Sequence, residues 1–142
     1  MRKPIVLFLL VAFNLVAAEK TPPPHPGWLG IGYTYHRDAG QQWLQLRIVV
    51  PRSPADVAGL AVGDVITKID GKPLRFRDDF EMLEFLGRIR PAQRLVFTVV
   101  HQQTAKSVPV TAIEMTDDYF NRWKLNLEIA RRNREERERP AR

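Results

Sequence analysis

From Trp43 to Val50 the chain alternates, with Leu44, Leu46, Ile48 and Val50 on one face and Gln45 and Arg47 on the other. A period of two predicts a half-buried strand. Before it, Trp28 to Tyr35 reads as a strand opening on a pair of glycines, and His36 to Gln42 reads as a polar turn around Asp38-Ala39-Gly40. Val65, Ile66 and Ile69 predict a short buried strand. Arg77 to Ile89 switches to three-to-four spacing, with Phe80, Leu83, Leu86 and Gly87 on one face and Met82, Phe85 and Ile89 beside it. That is a helix, and Asp78 and Asp79 suit the positive end of its dipole. Arg90-Pro91 ends it. Arg94 to His101 and Lys106 to Glu114 are two more strands, joined by a turn over Gln102 to Ala105. Thr116 to Arg139 predicts a last helix. Thr116 is its N-cap, Asp117 and Asp118 fill the first turn, and Tyr119, Phe120, Trp123, Leu127 and Ala130 lie near one face. From Arg131 onward Arg and Glu dominate, which predicts a solvated helix end or frayed tail.

The stretch from Ser53 to Leu74 has the densest local grammar. Ser53 can cap a helix whose first position is Pro54, where a missing N–H costs nothing. Gly59 stops that turn. Leu60 and Val62 are expected on the core. Gly63-Asp64 makes a second turn, Asp70-Gly71 a third, and Pro73 keeps the chain extended. The order Ser-Pro-Ala, two residues, Ala-Gly-Leu, two residues, Gly-Asp, apolar strand, Asp-Gly resembles the core signature of PDZ domains. The form it resembles is the circularly permuted one of bacterial HtrA-like proteases. The resemblance covers 28–114 and implies an α+β, mostly β fold. That fold is a partly open antiparallel barrel or sandwich of five to six strands capped by two helices, with an extra C-terminal helix here. Such domains finish near Glu114, so 115–142, a charged amphipathic helix and tail, is a departure.

The resemblance also implies a site. Trp28-Leu29-Gly30-Ile31 is similar to the carboxylate-binding loop of bacterial PDZ domains. Successive backbone N–H groups in a tight bend can hold a peptide C-terminus as a nest holds an anion. Gly30 lets the backbone approach closely. The following strand would offer an open edge to which a peptide adds. By the family layout Asp79, Leu83 and Leu86 form the other wall of the groove, and Tyr33 touches a residue further in; Leu83 and Leu86 read equally well as core. The partners implied are protein or peptide C-termini, with an envelope protease or secretion component as a further candidate. The function implied is a non-catalytic module that captures C-termini or extended segments of envelope proteins by strand addition. The alternative is an assembly scaffold of an envelope or secretion complex that contacts partners through the last helix, with Phe120 and Trp123 as contacts.

Composition narrows the rest. The chain has 142 residues, a formal charge of +6 and no cysteine. Disulfides, thiolate zinc sites and a lipid-modified cysteine are therefore excluded. The charge gathers at the two ends, and Glu135, Glu136 and Glu138 interleave with the terminal arginines, so neither nucleic acid nor a membrane surface is an expected partner. His25, His36 and His101 are scattered and read as surface histidines. Ser53 and Ser107 read as a cap and a strand residue. No catalytic residue, metal site or cofactor is expected, because no ligand spacing or phosphate loop is visible. Residues 1–18 read as a secretory signal: Arg2 and Lys3, an apolar run from Ile5 to Val16 broken by Asn14, then Val16-Ala17-Ala18. An uncleaved anchor is the competing reading, and only then is a membrane implied; a span takes about 20 apolar residues. Residues 19–27, rich in proline, read as a linker. The expected location is the periplasm or outside the cell.

Overall fold

The computed structural model describes residues 24–141. The segment read as a secretory signal, 1–18, and the first part of the linker, 19–23, lie outside the described residues. The elements follow as β1 (Gly27–Trp28), β2 (Ile31–Asp38), β3 (Gln41–Val49), α1 (Pro54–Val57), β4 (Val65–Ile69), β5 (Lys72–Pro73), α2 (Asp79–Gly87), β6 (Arg94–His101), β7 (Thr104–Thr111), β8 (Ile113–Glu114) and α3 (Asp117–Glu138). The main sheet is antiparallel, in the order β2-β3-β4-β6-β7, with β5 beside β4. β1 and β8 form a separate two-stranded sheet. The main sheet stays open and does not close into a barrel.

The inward face of the sheet supplies Leu44, Leu46, Ile66, Leu95, Phe97, Val99 and Val110, and α2 lays Met82 on them. Ser53 caps α1 as its sequence implies, its Oγ accepting from the Asp56 amide at 3.3 Å. Leu60 is buried, but Val62 is 62% exposed and does not reach the core. The turn around it instead closes on Asp64, whose Oδ2 accepts from the Ala61 amide at 2.9 Å.

Two strand readings change. The alternation in β3 holds for Leu44 and Leu46 but fails at Ile48, which is 58% exposed. The cause is an irregularity in the β2–β3 register: Tyr33 pairs with Leu46 and Gly32 with Ile48, so Arg47 is the extra residue. The stretch from Trp28 to Tyr35 is not one strand either. It breaks at Leu29-Gly30, between β1 and β2. The linker reading also ends early, because Gly27 is paired opposite Glu114 and its amide donates to the Ile89 carbonyl at 2.6 Å.

The approach to α2 is fixed from β2 and β3. The Gln42 side chain donates to the Phe76 carbonyl at 2.8 Å and accepts from the Phe76 amide at 2.7 Å. The Tyr35 hydroxyl donates to the same carbonyl at 3.0 Å. α2 therefore starts at a set distance from the β2 edge, with Asp78 as its N-cap.

Candidate functional site

The break at Leu29-Gly30 is a tight bend. The Leu29 carbonyl accepts from the Ala55 amide at 2.9 Å, and the Gly30 carbonyl accepts from the Val50 amide at 2.8 Å. With both carbonyls held by neighbouring segments, the amides are left over. Among the described residues neither the Leu29 nor the Gly30 amide donates to a backbone group outside the sheet ladders. Gly30 has φ +80°, and a Cβ there would collide with the Ser53 side chain, so only glycine fits the bend. β2 leaves from it and pairs on one side only, with β3.

Between this edge and α2 runs a cleft of about 610 Å³. All eight residues singled out from the sequence line it: Trp28, Leu29, Gly30, Ile31, Tyr33, Asp79, Leu83 and Leu86. Met82 and Phe85 do not; Met82 is fully buried beneath. Leu83 serves both readings, since it is 9% exposed and still lines the cleft.

The last helix adds a third wall to the cleft. α3 runs beside α2 in the opposite direction. Near its start the Trp123 indole lies against Gly87 and its Nε1–H donates to the Leu83 carbonyl at 3.0 Å. At its far end Arg134 makes a two-pronged ion pair with Asp78, the cap of α2, and Arg137 adds a longer contact at 3.7 Å. Arg77 and Glu138 also pair there. The last turns are therefore clamped rather than frayed. Tyr119, Arg122, Asn126, Ala130 and Asn133 of α3 face the cleft, and Ile48 joins them from β3. Of the α3 residues, Tyr119 and Ala130 belong to the apolar face read from the sequence, while Arg122, Asn126 and Asn133 carry nothing in the chain that separates them from a solvated face.

The aromatic start of α3 is consumed inside the chain. Phe120 stacks on His25 at 4.2 Å and approaches Trp123 at 5.9 Å, and Tyr119 packs on Trp28 at 4.6 Å. Of the histidines read as surface residues, His101 is exposed and His25 and His36 are half-buried. His25 contacts Asp117 at 2.6 Å, His101 bonds the buried Asp64, and His36 stacks on Trp43 with Nε2 buried and unpartnered.

Two groups in the cleft are electrostatically unusual. The Tyr33 hydroxyl is buried without a hydrogen-bond partner, and burial, then the nearby Asp79, raise its pKa. The Asp79 carboxyl is also pushed up, by burial of its inner side and by Asp78, while Arg137 opposes this. Asp78 itself is held below the usual carboxylate range, foremost by its hydrogen bond from Arg134. Among the described residues no group of three or more acidic or histidine side chains is placed to hold a metal ion, and no helix is long and apolar enough to cross a membrane.

Residues 48–100 match the family described as PDZ domain. Two proteins named probable periplasmic serine endoprotease DegP-like are similar to the chain. The one from Ectopseudomonas mendocina (strain ymp) is 32% identical over 96 residues, covering 60% of this chain and 19% of its own length. The one from Pseudomonas fulva (strain 12-X) is 29% identical over 126 residues, covering 81% and 25%. The chain thus spans a quarter or less of these relatives. Among solved structures, the HtrA-type protease AlgW with a decapeptide superposes with a TM-score of 0.53 at 20% identity, over 65% of this chain and 30% of that one. The HtrA3 PDZ domain bound to a phage-derived ligand gives 0.50 at 21% identity, over 63% of this chain and 86% of that one.

Proposed function

The chain carries a PDZ domain with homology to those of the DegP-like proteins, and on that premise we propose that it is a non-catalytic peptide-binding module. Its ligands are C-termini or extended segments of proteins in the bacterial envelope, taken up by strand addition to β2. The observation that carries this reading is the bend itself. Two unclaimed amides sit at the head of a cleft whose one side is an unpaired sheet edge and whose floor is apolar. A terminal carboxylate suits the amides, a strand suits the edge, and an apolar last side chain suits Leu29, Ile31, Leu83 and Leu86. The peptide complexes of the structural neighbours support the same reading. The DegP-like relatives support a periplasmic location. The scaffold reading depended on Phe120 and Trp123 as free contacts; both rings are packed within the chain, which favours the cleft.

The test is a polarisation titration with N-terminally labelled peptides ending in an apolar residue, each as free acid and as amide. Micromolar binding of the acid, lost on amidation, is expected. Equal binding of acid and amide refutes the carboxylate role, and no binding of either refutes the module.

A further inference from the structure

Of the described residues lining the cleft, only Arg122 and Asp79 carry charge. They stand at opposite ends. Asp79 opens α2, at the end where Arg134 clamps Asp78. Arg122 lies one turn into α3, and α3 starts at the other end, beside the Leu29-Gly30 bend. Its guanidinium is held over the Tyr119 ring, 5.6 Å from the centroid, and that ring packs on Trp28, the residue that precedes the bend. Of the other cations of α3, Arg131 and Arg132 pair with Glu128, Arg134 and Arg137 with Asp78, and Lys124 lies over the Phe120 ring and does not line the cleft. Arg122 has no carboxylate partner among the described residues.

We infer that Arg122 is the counter-ion for the ligand's terminal carboxylate, so that the helix beyond the PDZ domain is part of the binding site. The inference rests on the peptide-binding reading and makes it more specific. Backbone amides alone supply dipoles to the carboxylate; Arg122 adds a full charge and a planar pair of donors. The stacked Tyr119 and Trp28 restrict the side chain before the ligand arrives, which lowers the entropy lost on pairing. The cleft is then polarised along its length, positive at the bend and negative at Asp79. A peptide running with its C-terminus at the bend matches that polarity, and one running the other way opposes it.

The experiment uses the full chain and its Arg122→Ala, Arg122→Gln and Arg122→Lys variants. Each is titrated with one peptide of apolar C-terminus as free acid and as amide, the weak amide being followed by NMR shift changes. Arg122→Ala and Arg122→Gln are expected to weaken the acid by about fivefold and leave the amide unchanged, since the pair is partly exposed. Arg122→Lys is expected to recover part of the loss, and added salt to shrink the difference between wild type and Arg122→Ala. If Arg122→Ala still binds the acid like wild type, and the acid still outbinds the amide, the inference is overturned while the PDZ reading stands. Equal weakening of acid and amide overturns it too, by showing a merely structural role. If wild type never distinguishes acid from amide, the carboxylate reading fails along with it.

Discussion

Replacing Gly87 by alanine gives the sharpest check on how α3 is seated. A Cβ at this position would lie 2.7 Å from the Trp123 Cη2 atom and closer still to Cζ2. Real Cβ atoms do not come so near, so the indole has to leave its notch. Two effects compete. Alanine favours a helix over glycine by up to about 1 kcal/mol, and less at the last helical residue. Against this, overpacking costs about 1–3 kcal/mol. Losing the Trp123 Nε1–H bond to the Leu83 carbonyl adds about 1 kcal/mol. The second group wins by about 1–3 kcal/mol, and the loss falls on α3 docking rather than on the sheet. Hydrogen exchange resolves the two regions. Amides of residues 119–134 are expected to exchange about five- to a hundredfold faster in Gly87→Ala, with β6 protection unchanged. A variant with undiminished α3 protection and a higher melting temperature would show that the notch does not hold the indole.

The clamp at the far end of α3 titrates. Asp78 has its pKa lowered on folding by the Arg134 hydrogen bond, so its contribution is complete above the ordinary carboxylate pKa of about 4 and fades as pH falls through the lowered value. Asn is as good an N-cap as Asp. Asp78→Asn should therefore keep α2 capped, reduce α3 protection at neutral pH, and narrow the gap to wild type as pH falls below the ordinary carboxylate pKa of about 4 in acid exchange experiments. A gap that stays constant over this range would refute the ion pair's role. Asp79 works with the opposite sign: its raised pKa makes its ionised form a burden that acid relieves, so Asp79→Asn should stabilise the chain at pH 7 by urea titration. Gly30→Ala should lower stability by about 1–3 kcal/mol, because φ +80° and the Ser53 side chain both exclude a Cβ. The same variant should bind the acid and amide peptides alike.

What could be read ahead of the coordinates was what local chemistry decides. Ser53 and Pro54 specify α1 within four residues, and the spacing of Phe80, Leu83 and Leu86 marks α2 without reference to anything distant. The eight cleft residues were reachable through the resemblance to PDZ domains, whose layout assigns the bend and one face of α2 to the groove. The failures are non-local. A strand cannot announce an extra residue opposite its partner, so Ile48 was put on the wrong face by a rule that holds at Leu44 and Leu46. Val62 looked like core because its neighbour Leu60 is. The Arg and Glu run after Arg131 looked solvated because its main partner, Asp78, lies 56 residues earlier. Gly87 was placed on one face of α2, but nothing along the chain pointed from it to Trp123.

The clasp between β1 and β8 sets the path of mechanical load through the molecule. Gly27 and Trp28 lie against Ile113 and Glu114, and Met115 donates its amide to the Pro26 carbonyl at 2.9 Å. Tension applied ahead of residue 24 would thus meet this short ladder and the His25–Phe120 stack before it reaches the main sheet. Trp28 is the next link, and the two amides that follow it are the first to move.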